Sequence, residues 1–144
     1  MKKLLIPDNS RGPNMAEEAQ KVMGDYVAGA SLAFGIIILA HELLGAYYAW
    51  QGAEPGRINE ELLLAVFSIV HLLGGLSGGY LVGRRNERGV VQTGIFTALL
   101  AFIIESIYYL VFTGSFEGNL LALLSLIVGS VLGAVLAFHL RRRL

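Results

Sequence analysis

The sequence predicts an all-α protein, a transmembrane bundle of four helices whose sequential neighbours run antiparallel. Three observations carry that prediction. Hydrophobic residues make up 55% of the 144-residue chain and charged residues 15%, with a mean hydropathy of +0.62, which is a membrane composition. The apolar residues fall in four long runs divided by short polar punctuation, where a soluble chain would alternate apolar and polar residues at helix or strand period. Finally, the stretch HLLGGLSGGYLVGRRNERG, from His71 to Gly89, loses its apolar character at Arg84, Arg85 and Arg88 and regains it at Val90. A helix that stops at an arginine cluster and resumes after a very short loop reads as a transmembrane hairpin.

Taken in order, residues 1–25 form a polar N-terminal segment of mixed charge, expected in the cytoplasm. Lys2 and Lys3 precede only three apolar residues before Pro7, too few for the core of a signal peptide. Asn14 is placed to cap a helix with Glu17 three residues on, so Met15 to Met23 reads as a short interfacial helix, and Met15 is a second candidate start. The spanning helices are expected over 26–50, 62–82, 90–112 and 120–140. Each exceeds the roughly 20 apolar residues that cross a bilayer core. The connections 51–61, 83–89 and 113–119 are short, which makes sequential helices antiparallel neighbours. Open strands are excluded, because backbone groups in hydrocarbon must be paired within the segment.

Orientation follows from the cations. Lys2, Lys3, Arg11, Lys21, Arg84, Arg85, Arg88 and Arg141 to Arg143 fall on one side and Arg57 alone on the other, so both termini are expected in the cytoplasm. The opposite side holds Glu54, Glu60, Glu61 and Glu117, with Tyr47, Tyr48, Trp50, Tyr108, Tyr109 and Phe112 as an aromatic belt. A weak internal repeat is also visible: a shift of 58 residues lays His71, Gly75, Gly79 and Arg84-Arg85 over Gly129, Gly133, Ala137 and Arg142-Arg143. Both hairpins would begin on the same side, so the relating axis would run along the membrane normal.

Small residues line particular helix faces: Gly29, Ala33, Gly45 and Ala49; Gly75, Gly79 and Gly83; Gly94, Ala98 and Ala101; Ser125, Gly129, Gly133 and Ala137. Such seams let backbones approach where lipid removes the hydrophobic drive. They serve either the bundle interior or another subunit, and the last, which carries no ionisable residue, is the one expected to face a partner. Expected partners are the lipid bilayer and further copies or other membrane subunits, and no nucleic acid.

The ionisable residues inside the apolar runs are His41, Glu42, His71 and Glu105. Each is expensive in lipid and needs a partner. At 1.5 Å per residue, His41, His71 and Glu105 lie roughly 10 to 14 Å below the same helix ends, so they can meet at one level. Two imidazoles and one or two carboxylates are a ligand set for a divalent metal such as Zn²⁺ or Fe²⁺, equally a proton relay, and equally a hydrogen-bonded knot that pins the bundle's register.

Catalytic motifs are absent in the required context. His41-Glu42-Leu-Leu-Gly45 lacks the second histidine of H-E-x-x-H. Gly75-Leu-Ser77-Gly78-Gly79 matches G-x-S-x-G, yet sits within a helix instead of a strand-to-helix elbow. It is also similar to the serine motif of rhomboid proteases, but those have six or more spans and a later histidine near the serine, whereas His139 lies near the far end of its helix. The segment from Gly78 to Gly94, with its GGYLVGRR helix end, resembles a set of small four-helix prokaryotic membrane proteins of unknown function. That resemblance covers about an eighth of the chain and implies a fold and no activity. Expected roles are a structural or accessory subunit of a membrane assembly or, alternatively, a small oligomeric transporter or channel for protons or divalent cations using His41, Glu42, His71 and Glu105.

Overall fold

A computed structural model describes residues 15–52, 59–86, 89–114 and 119–143. These hold four helices and no strand: α1 (Met15–Trp50), α2 (Glu60–Arg85), α3 (Val90–Thr113) and α4 (Leu120–Arg141). All four are long and apolar enough to cross a membrane. Their ends follow from local chemistry. The Asn59 side chain accepts from the amides of Glu61 and Leu62, and Asn119 caps α4 through Leu121 N in the same way. Glu60 and Glu61 in the first turn of α2, and Arg84 and Arg85 in its last, complement the helix dipole. Gly114, at φ 70°, ends α3 in the left-handed region that side chains avoid.

The described helix ends fall within three residues of those expected except at the start of α1. The short helix expected over Met15 to Met23 is the start of one continuous 36-residue helix that runs through Tyr26 to Trp50. Asp25, only a modestly poor helix former, does not interrupt it; its carboxylate accepts from Arg85 Nη1 at 3.0 Å, and Tyr26 meets Phe96 edge-on, so this part of α1 is already docked on its neighbours. The expected cap at Asn14 lies outside the described residues.

The helices sit at the corners of a rhomb. α1 and α4 both pack on α2 and α3, α2 and α3 touch across the short diagonal, and among the described residues α1 and α4 do not meet. The interior is built from small residues. Ala30, Ala33, Ile37, Ala98, Ala101 and Leu126 form the buried cluster, joined by buried Thr93, Thr97 and Ser130. Leu39, Leu43, Ile69, Ile107, Val111 and Leu132 instead point outward. Large apolar residues outside and small ones inside invert the pattern of a water-soluble bundle, and match helices that pack by close backbone approach within lipid.

The α2–α4 contact is the most intimate. A Cβ at Gly129 would collide with the carbonyl of Leu72, one at Gly133 with that of Leu76, and one at Gly79 with the backbone of Ser130. Residue numbers rise together along this contact, so α2 and α4 are parallel. The seam expected to face another subunit, Ser125 to Ala137, is therefore consumed inside the bundle at Gly129, Gly133 and Ala137, while Ser125 is half-buried. On α1 the outcome is the reverse. Gly29 meets Gly78, and Ala33 meets Gly74, but Gly45 and Ala49 are exposed, and a Cβ at Gly45 would touch nothing. At 100° per residue a four-residue spacing drifts by 40° each step, so the inward stripe runs through buried Ala30, Ala33 and Ile37 and on to half-buried His41, Leu44 and Tyr48, and rotates Gly45 and Ala49 away.

Candidate functional site

The glycine seam ends near His71, and beyond it the bundle interior changes character. His71 is buried on α2 and Glu105 on α3, 2% and 6% exposed, and His71 Nε2 lies 3.0 Å from Glu105 Oε1. The other ring nitrogen, Nδ1, is 2.6 Å from Phe67 O, one helical turn back. A carbonyl can only accept, so Nδ1 carries a hydrogen, and the bond between Nε2 and Oε1 must then contain one proton. That proton sits either on Glu105, donating to a neutral ring, or on the ring as imidazolium, donating to a carboxylate.

His41 enters from α1. Its ring centroid is 5.6 Å from that of His71 and 4.5 Å from that of Phe67, and its Nδ1 makes a 2.9 Å hydrogen bond with the hydroxyl of Tyr109. These side chains line one wall of a cavity of about 530 Å³, completed by Phe102, Ser106 and the start of α4 at Asn119 and Leu120. Two of its polar groups are left over: His41 Nε2 and Glu105 Oε2 are buried with no hydrogen-bond partner among the described residues. A buried unmade hydrogen bond is costly, so the cavity is chemically suited to a small polar or cationic guest that satisfies those atoms.

Three of the four expected ionisable residues thus converge. Glu42 does not: one residue past His41 is 100° around α1, and Glu42 is exposed on the outer face of the bundle. Among the described residues no group of three or more His, Asp or Glu side chains is arranged to hold a metal ion. Tyr109 was expected only in the aromatic belt. Its place one turn after Glu105, on the same face, was the available signal for its contact with His41. Ser77 of the G-x-S-x-G match donates to its own helix at Leu73 O, 3.0 Å away, and His139 is exposed against Val135 O, so neither joins a site.

Fold and site together define an all-α chain with four helices fit to span a membrane and a buried His–Glu pair at the edge of a polar cavity. Compared with known protein families, curated proteins and solved structures, the chain matches none.

Proposed function

We propose that this protein is an integral membrane subunit, with both termini cytoplasmic, that associates with another chain through the outer face of α1. The supporting observation is Glu42. It lies eight residues, about 12 Å, below the end of α1 at Trp50, exposed among apolar side chains. An ionisable residue at that depth of a bilayer belongs against protein or water, not lipid. Gly45 and Ala49, three and seven residues on, share its face and leave it open to a close-packing helix. The orientation rests on the collection of Lys21, Arg84, Arg85 and Arg141 to Arg143 at the opposite end from Trp50. Solubilised in a mild detergent, the wild type should run larger than one chain, and Glu42→Leu with Gly45→Leu should reduce it to a monomer of unchanged helicity. A wild-type monomer would refute the proposal.

The cavity supports a second reading, a transporter or channel that binds a proton or small cation at His41, His71 and Glu105. Toward the arginine end the interior is closed by Ala30, Ala33, Thr97 and Ala98, all fully buried, so passage would require the helices to part. Proteoliposomes showing cation-coupled proton flux that Glu105→Gln abolishes would favour this reading. Absence of flux in sealed, folded samples would count against it.

A further inference from the structure

At the end of the bundle opposite the polar cavity, α2 and α4 finish side by side. Because they are parallel and pressed together along glycine, both of their terminal arginine clusters reach the same level. Between them lies a cleft of about 580 Å³ walled by Arg84, Arg85, Arg141 and Arg143, with Tyr80 and Leu140 on its apolar side. Two of the guanidinium groups are engaged locally: Arg85 holds Asp25 at 3.0 Å, and Arg141 Nη2 donates to Gly83 O at 2.6 Å. Arg84 lies 6.0 Å over the Tyr80 ring, a contact that orients the side chain and leaves its charge in place. Arg143 is exposed at the end of α4. Like charges converged by the backbone packing repel one another unless an anion sits between them.

We propose that this cleft binds the phosphate of an anionic phospholipid, with Arg84 and Arg143 as its principal ligands and the acyl chain descending along Tyr80, Ala137 and Leu140. The shape suits a lipid better than a free phosphate. One wall is basic and sits at the helix ends, the other is apolar and continues down the span, and guanidinium groups offer the paired donors that phosphate oxygens accept. Arg142 provides an internal control. It is adjacent in sequence, yet its guanidinium stacks on Phe138 at 4.3 Å and it does not line the cleft.

The test is lipid binding by the delipidated protein in neutral detergent, read by native mass spectrometry and by thermal shift. The titrants are phosphatidylglycerol, phosphatidylcholine and inorganic phosphate. Phosphatidylglycerol should bind saturably and raise the melting temperature, while phosphatidylcholine should do neither. Arg84→Gln with Arg143→Gln should weaken phosphatidylglycerol binding by about thirtyfold, from ~1 kcal/mol per basic residue near an anionic lipid. Arg142→Gln removes a charge of the same sign at the same end but not in the cleft, and should weaken binding by clearly less than the roughly fivefold that ~1 kcal/mol gives for one arginine ligand. Circular dichroism of each variant before titration confirms that the helices are intact. Equal losses from Arg142→Gln and from Arg84→Gln alone would overturn the proposal by showing diffuse attraction. An equal shift with inorganic phosphate would overturn the lipid assignment.

Discussion

Replacing His71 or Glu105 by leucine, singly and together, measures the polar pair and reports where its proton resides. His71→Leu leaves both oxygens of Glu105 without a partner, since Oε2 already lacks one, and Glu105→Leu strands Nε2 of His71. Phe67 O keeps its helical amide partner in either case, so the cycle isolates the one contact. An orphaned neutral group should cost about 1 to 3 kcal/mol. An orphaned buried charge should cost about 3 to 5 kcal/mol. The double variant should therefore be more stable than the sum of the single losses implies. Hydrogen bonds between neutral groups in membrane bundles couple by about 0.6 kcal/mol and at most about 1.7. A coupling near 1 kcal/mol would therefore place the proton on Glu105, and one near 3 kcal/mol would place it on His71 as imidazolium. The assay is reversible unfolding in mixed micelles at increasing dodecyl sulfate fraction, followed by circular dichroism. Losses that add to within about 0.5 kcal/mol would refute the contact itself.

Three further outcomes are expected. Gly79→Leu or Gly133→Leu should abolish folding of the bundle, because each side chain would have to displace backbone of the facing helix, whereas Gly45→Leu meets open space within its own bundle and should leave helicity unchanged, its effect confined to the association proposed for that face; circular dichroism in detergent distinguishes the three. Tyr109→Phe deletes the 2.9 Å hydrogen bond to His41 and should lower stability by about 1 kcal/mol in the same unfolding assay. Since the chain contains no cysteine, single cysteines report topology directly: if the proposed orientation holds, Gln51→Cys should react with a membrane-impermeant maleimide applied outside intact cells and Asn86→Cys should not, and the reverse pattern would overturn it.

Much of the architecture could be read directly from the chain because lipid enforces a simple code: long apolar runs must be helices, and short links must join antiparallel neighbours. The level of His41, His71 and Glu105 was equally legible, being a matter of counting rise per residue from the helix ends. Rotation about the helix axis was less so. His71 and Glu105 lie on faces marked by buried neighbours at three- and four-residue spacing, Gly74, Gly75 and Gly78 for one, Ala98 and Ala101 for the other, and their pairing follows. Gly45 and Ala49 lie on an equally regular stripe that rotates off the bundle, because several small-residue faces compete for few interior positions. The same ambiguity made the Gly129–Gly133–Ala137 seam look available to a partner. Only three-dimensional packing shows that α2, two helices away in sequence, has already claimed it. The continuation of α1 back to Met15 was hidden for a related reason, since the pairing of Asp25 with Arg85 spans 60 residues.

The parallel α2–α4 seam also imposes an order on biogenesis. When α2 leaves the ribosome its Gly74 and Gly78 can pack on α1, but the face of Gly75, Gly79 and Gly83 has no mate, and none will exist until α3 has been made and inserted in the opposite sense and α4 has followed. At roughly 5 to 20 residues per second, the 57 residues that separate Leu72 from Gly129 leave that face uncovered for several seconds. His71 waits less, because Glu105 arrives on the very next helix. The α2–α3 hairpin can thus pair its buried histidine with its buried carboxyl before the final span is synthesised, which leaves mainly the close-packing glycine face for α4 to cover.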